Sequence, residues 1–208
     1  KRIFNHHNIS LNNIRECLAI AEKKMIPFIS SLYSLSRWHT QNIFCSKCGS
    51  SNRNSDYGYS LVCKNKHCKN KIFPRIDPTV IMLIKYKNKI LLARDKNWKK
   101  NLYSCLAGFC ETSESLEEAV NRETYEEVGL EVQKIRYKFS QFWPFSNNLM
   151  IGFEATAISD KLAINKLEIE SAIWVTRLQV KKLQKSKELI LPKKYAIAYC
   201  LINDWLKK

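Results

Sequence analysis

The stretch GFCETSESLEEAVNRETYEEVGL, Gly108 to Leu130, decides how the rest of the chain is read. It opens on one glycine, closes on Gly129-Leu130, and has no Pro or Gly between them, enough for about four helical turns. Leu116, Ala119 and Val120 recur at i, i+3, i+4 and make one apolar stripe. The rest is acidic: Glu114, Glu117, Glu118, Glu123, Glu126 and Glu127. Glu123, Glu126 and Glu127 share one side of the predicted helix. Like charges so placed repel, and a chain with a formal charge of +16 has no compositional reason to gather them. A hard cation resolves the conflict, because Mg²⁺ and Mn²⁺ take oxygen ligands and keep waters that a phosphate can displace. The competing reading is a solvated charged face.

Working outward, the 208 residues suffice for one good core and a small appendage. The sequence begins at Lys1 without Met, so a targeting peptide lies outside what it can show. No apolar run approaches the length of a membrane span, so no membrane insertion is expected. The basic balance suits polyanionic ligands, nucleotides and RNA among them. The lysines are not interleaved with an aromatic RNA-binding signature, which favours a merely soluble lysine-rich surface over a dedicated nucleic-acid face.

Residues 1–40 read as helical, with Ser10 as N-cap and Leu11, Ile14, Cys17, Leu18 and Ala21 at helical spacing. Pro27 breaks or kinks that pattern, and Ile29 to Trp38 forms a second helix. His6, His7 and His39 lack partners at ligand spacing and read as surface or linker residues. Residues 41–74 carry four of the eight cysteines. Cys45 and Cys48 are followed, fourteen residues on, by Cys63 and then Cys68. Two short-range pairs supply the four soft ligands of a structural Zn²⁺ ribbon, with Asp56–Val62 as a hairpin between them. His67 could replace Cys68, and buried or disulfide-bonded cysteines are the alternative to metal. Clustered metal-type cysteines fit a reducing, intracellular compartment.

Residues 75–208 form the main domain, opening at Asp77-Pro78. Strands are expected at Thr79–Tyr86, Ile90–Ala93, Tyr103–Leu106, Val132–Phe142, Leu149–Ala157 and Ala172–Val175. Thr176 caps a helix from Leu178 to Lys185, and Pro192 starts the last helix. Cys105 and Cys110 read as small core residues. Mixed strands with two or three helices imply an α/β sandwich.

The spacing Gly108, five residues, Glu114, seven residues, Arg122-Glu123, two residues, Glu126-Glu127, one residue, Gly129-Leu130 resembles the Nudix box. Thr124 stands where that family usually has an aliphatic residue, and Ser113 where a glycine is common. Downstream, Ser140-Gln141-Phe142-Trp143-Pro144-Phe145-Ser146 resembles the SQPWPFP array of the NADH pyrophosphatase branch, also known for NAD-capped RNA hydrolysis. Five of seven positions agree. Leu149 to Gly152 and the order of zinc ribbon, Phe73-Pro74 and Nudix domain also look like that branch. The resemblance covers about residues 35–208. Branch members carry a larger N-terminal domain, so residues 1–40 are expected to be its remnant.

The resemblance implies a Nudix α/β/α sandwich with a mixed sheet. It also implies hydrolysis of the diphosphate bond of NAD(H) to AMP and nicotinamide mononucleotide. Glu123, Glu126, Glu127 and Glu168 would hold Mg²⁺ or Mn²⁺, with Glu170 the decoy for Glu168. Glu127 or Glu126 would act as general base. Arg122 would orient a glutamate through a bidentate pair, and Glu114 would support the metal shell. Phe73, Phe109, Gln141 and Ala196 match substrate-binding positions. For Phe73 and Phe109 plain core packing is the alternative, as it is for Trp143 and Phe145. A homodimer is implied. The compartment implied is mitochondrial first, cytoplasmic or peroxisomal otherwise. The competing functions are removal of an NAD cap from RNA, hydrolysis of another nucleoside diphosphate derivative, and a scaffold with a retired site. The intact carboxylate set argues against retirement.

Overall fold

The structure, a computed structural model, describes residues 13–207. Two compact units divide the chain, one ending at Pro74 and one starting at Arg75. The expected cap Ser10, the apolar Leu11, and His6 and His7 lie outside the described residues.

In the first unit, α1 (Ile14–Ile20) is capped by Asn13, whose side chain accepts a hydrogen bond from the Glu16 amide at 3.0 Å. α2 (Ile26–Gln41) is longer than the expected Ile29–Trp38. Pro27 sits in its first turn, where a missing N–H costs nothing, and so begins the helix instead of kinking it. His39 lies inside α2, half-buried, with its Nε2 2.8 Å from the Gly58 carbonyl, so it is not a linker residue. Three short strands follow in antiparallel order: β1 (Asn52–Ser55), β2 (Ser60–Cys63) and β3 (Lys71–Ile72). The hairpin between β1 and β2 turns at Asp56–Gly58.

The second unit is built on β4 (Asp77–Tyr86). Its apolar run alternates between two cores with the period of a strand. Val80, Met82 and Ile84 face one cluster with Ala119, Val120 and Val128. Ile81 and Leu83 face the other with Val180, Ile197 and Trp205. A strand buried on both faces needs a near-continuous apolar sequence, which is what residues 80–84 supply. β5 (Lys89–Asp95) meets the tip of β4, while β6 (Leu106–Phe109) pairs antiparallel with Thr79–Met82. After α3 (Leu116–Val128), β7 (Val132–Trp143) pairs with β8 (Asn148–Ala157), and β8 runs parallel to β4. β9 (Ile169–Thr176) pairs with β5, giving a mixed sheet in the order β7-β8-β4-β5-β9 with β6 on β4. α4 (Arg177–Lys185) and α5 (Ile197–Lys207) lie on the face away from α3, completing the expected α/β/α sandwich. Among the described residues no helix is long and apolar enough to cross a membrane.

Among the boundaries of the second unit that differ from the sequence expectation, three follow from hydrogen bonds made elsewhere. The strand expected at Tyr103–Leu106 begins only at Leu106, because Tyr103 donates to Ile190 and Ser104 bonds Ala93, leaving no ladder to β4 until then. Gly108 is therefore inside a strand, opposite Val80, and not beyond one. β9 is twice the expected length because its ladder with β5 runs to Asp95. The last helix starts at Ile197 and not Pro192, since the amide of Ala196 closes a turn on the Lys193 carbonyl before the helix begins.

Candidate active site

α3 carries the acidic stretch because both its ends are specified. The Ser115 side chain accepts from the Glu118 amide while Glu118 accepts from the Ser115 amide, a reciprocal capping box. Gly129 stops the helix in the left-handed region, at φ 69°. Thr124 is fully buried, and its hydroxyl donates to the Val120 carbonyl at 2.6 Å. That bond lets threonine stand where an aliphatic side chain is usual, since a buried hydroxyl without a partner is costly. Ser113, the other departure, has φ 72°, a conformation that favours glycine.

One guanidinium organises the carboxylates. Arg122 forks onto Glu114, with Nε 3.0 Å and Nη2 2.6 Å from its two oxygens. Nη1 donates to Glu123 at 2.9 Å and to Glu126 at 3.0 Å, and Nη2 also donates to the Phe109 carbonyl at 2.8 Å. The hydrogen bonds from Arg122 hold the Glu114 carboxyl below its ordinary range. The second Glu114 link is to the Glu111 amide at 2.5 Å, which ties the loop between β6 and α3 to the helix. The bidentate partner of Arg122 is thus Glu114, and Glu123 and Glu126 are held by single bonds.

Glu123 reaches its place because Gly108 has no side chain. A Cβ on Gly108 would stand 1.8 Å from the Glu123 carboxyl carbon and 2.0 and 2.1 Å from its oxygens. Burial raises the Glu123 carboxyl above its ordinary value, against the pull of Arg122. Glu127 is more extreme. It is 7% exposed, its Oε2 has no hydrogen-bond partner, and burial pushes its pKa up to about 8. The charges of Glu123, Glu168, Asp95 and Glu126 add to that rise, in that order. Glu168 is thus near enough for its charge to act on Glu123 and Glu127, whereas Glu170 is paired with Arg94 at 2.5 Å. An orphaned buried oxygen among carboxylates, in a cluster whose one guanidinium bonds its neighbours instead, fits a divalent cation.

The positions matched to substrate binding divide. Phe73 is 63% exposed and Phe109 54%, so neither is core packing. Gln141 has both ends of its amide engaged: Nε2 donates to the Tyr195 carbonyl at 2.6 Å, and Oε1 accepts from the Ile197 amide at 2.7 Å. It clamps the backbone on either side of Ala196, which is itself buried. Trp143 packs on Phe145 and Tyr195, with ring centroids 4.7 and 6.0 Å apart. Asp95, at the end of β5, was not singled out by sequence reading; the only local signal is an acid at the edge of the basic run Lys96–Lys100. Cys105 is buried in the cluster with Ile81 and Leu83, and Cys110 packs against the other cluster, with Val80 and Met82.

In the first unit Cys45, Cys48, Cys63 and Cys68 converge, their sulfurs all within 4.8 Å of one another. Cys45–Cys68 and Cys48–Cys63 are 3.9 and 3.5 Å apart, close to the edge of about 3.8 Å that a tetrahedron of 2.3 Å metal–sulfur bonds requires. None of the four is in a disulfide, and His67 is not among the converging ligands. Backbone amides of Lys47 and Asn65 point at Cys45 and Cys63 sulfurs, each at 3.4 Å. The Ser50 amide draws the Cys48 thiol down to about 6, while burial pushes Cys63 up to about 12. The set can hold one metal ion.

Comparison with known proteins matches residues 75–194 to the NUDIX domain family. The human protein named NAD-capped RNA hydrolase NUDT12 is 36% identical over 197 residues, 89% of this chain and 43% of its own. The mouse protein named NAD(P)H pyrophosphatase NUDT13, mitochondrial, is 42% identical over 188 residues, 84% of this chain and 53% of its own. The chain spans about half the length of the curated relatives it matches. Among solved structures, the crystal structure of a NUDIX hydrolase from Nitrosomonas europaea aligns with a TM-score of 0.59 at 21% identity, over 79% of this chain and 88% of that one. That likeness is one of fold.

Proposed function

Because this chain belongs to the NUDIX family, we propose that its acidic cluster hydrolyses the diphosphate bond of NAD(H), giving AMP and nicotinamide mononucleotide. The observation that carries the reading is Glu127: a buried carboxylate with an unpartnered oxygen, beside Glu123, Glu126 and Glu168. These four residues would hold Mg²⁺ or Mn²⁺. When bound, such a cation stabilises charge on phosphoryl oxygens and makes a water acidic enough to attack phosphorus. Arg122 and Glu114 hold Glu123 and Glu126 in position beforehand, so little reorganisation is left for the reaction itself. Glu127 or Glu126 accepts the proton of the attacking water. Phe109, exposed beside the cluster's own strand, supplies a flat face for a base or nicotinamide ring. For Phe73 we carry the same role. Gln141 and Ala196 would shape the pocket through the clamped backbone, and not by a free amide.

The substrate class is supported by the names of the relatives, and the same names favour a second reading: removal of an NAD cap from RNA, with the basic surface holding the strand. We further propose that the four cysteines hold a structural Zn²⁺, that the protein is a homodimer, and that it works in mitochondria, the compartment in the mouse relative's name. Zinc- and Mg²⁺- or Mn²⁺-loaded protein incubated with NADH, NAD⁺, ADP-ribose and NAD-capped RNA tests the chemistry. AMP and mononucleotide should be released from NADH, and Glu127→Gln should slow this by about 10²–10⁴. Cleavage of none of the four would sink the assignment. Weakening with salt of the capped-RNA reaction, but not of the NADH reaction, would identify an RNA-holding surface.

A further inference from the structure

Glu127 also lines a cavity of about 90 Å³ that extends to Asp95, a residue outside the cluster just described. Its apolar floor includes Ala93, Cys105 and Leu106, and its polar wall is Asp95 and Glu127, with Trp98 at the rim. That volume is room for about three waters. Two carboxylates line it and no Lys, Arg or His does. The Arg122 guanidinium, which bonds three neighbouring glutamates, makes no bond to Glu127. Glu127 is more than nine-tenths buried, and its Oε2 is unpartnered.

Asp95 is presented to the cavity by a turn. Its Oδ1 accepts from the Asn97 amide at 2.7 Å, and its carbonyl accepts from the Trp98 amide at 3.1 Å. These bonds fix Asp95 and Trp98 on one short loop and leave the second carboxylate oxygen for a ligand. Two ionised carboxylates on a water-sized, apolar-floored cavity are destabilising, and a cation between them relieves the strain without protonating either. Three waters' worth of space suits a partly hydrated hard cation.

We propose that this cavity is a divalent-cation subsite on the Asp95 side of Glu127, with Asp95 as its second carboxylate and Trp98 as its outer wall. It rests on the reading that the glutamate cluster binds such a cation, and adds to that reading a ligand on β5. Asp95 thereby couples the loop after β5 to the catalytic helix through a shared ion.

The test counts Mn²⁺ bound to zinc-loaded protein by electron paramagnetic resonance of the free ion, for wild type, Asp95→Asn and Glu127→Gln, with folding checked by circular dichroism. Asp95→Asn should bind one Mn²⁺ at least about tenfold more weakly than wild type, while the remaining Mn²⁺ is unaffected. Trp98→Phe gives an arm that does not depend on Asp95→Asn folding: Mn²⁺ should quench a smaller fraction of its tryptophan fluorescence than of wild type's. Equal Mn²⁺ number and affinity in wild type and Asp95→Asn would overturn the subsite, as would equal quenching in wild type and Trp98→Phe. If wild type binds Mn²⁺ and cleaves NADH in either of those cases, the subsite alone falls. If wild type binds no Mn²⁺, the cation reading of the glutamates falls with it.

Discussion

The two candidate metal centres gather like ligands in opposite ways. In the second unit three acids, Glu114 just before α3 and Glu123 and Glu126 on it, are held by an internal cation, Arg122, and the helix is capped at both ends and packed on a core that includes Val80 and Met82. Among the described residues the four clustered cysteines have no such cation; amides reach their sulfurs instead, and the strands around them are two to four residues long. A site with its own countercharge can stand before its metal arrives, leaving coordination for substrate. A site whose ligands close only on one another depends on the ion for its shape.

The sharpest way to break that comparison is to remove each metal. A zinc chelator, or Cys63→Ala, should unfold the region Asn42–Ile72, since structural zinc contributes on the order of 10 kcal/mol to such folds. Limited proteolysis should then cut there while the second unit survives. Removing Mg²⁺ or Mn²⁺ alone should leave both units folded. Survival of the first unit without zinc would put the two centres in the same class.

Next in size is Arg122→Ala. Three carboxylates lose their shared partner, and Arg122 is only 22% exposed, so about 2–3 kcal/mol of stability should go. Arg122→Lys should recover little of it, because an ammonium cannot fork onto Glu114 while reaching Glu123 and Glu126. Urea midpoints for the pair measure this, and full rescue by lysine would show that charge alone suffices.

The smallest effect concerns protons. Without Mg²⁺ or Mn²⁺, burial makes Glu127 hold its proton up to about pH 8, against an ordinary value of 4.5. Between those values the folded state binds more protons than the unfolded, so stability falls as pH rises through that window. A progressive loss of stability across that window is expected, and Glu127→Gln should flatten it. An equal slope in that variant would assign the protons to another group.

What could be read from sequence was whatever short-range pattern encodes. The run of α3, its three facing carboxylates, the cysteine pairs and the apolar alternation of β4 all repeat within a few residues. What could not be read depends on pairing across long separations. Gly108 counts as part of a strand only because β4 lies beside it. Nothing near Gln141 in the sequence tells that Tyr195 and Ile197, more than fifty residues on, each bond one end of its amide. Asp95 faces Glu127 across a gap that no motif spans. The Pro192 boundary failed for a related reason: a proline permits a helix start without requiring one, and the turn at Lys193–Ala196 used the backbone first.

The absence of an atom at Gly108 has its own consequence. What a methyl there would strike is the far end of one side chain, the Glu123 carboxylate, and not the backbone. That end can swing away, so Gly108→Ala should leave a protein that still folds, at the cost of the Arg122–Glu123 bond. Yet the swing takes with it a group the chemistry depends on. Position 108 is thus a socket and position 123 its peg, and a side chain added to the socket dislodges the peg before it disturbs the wall.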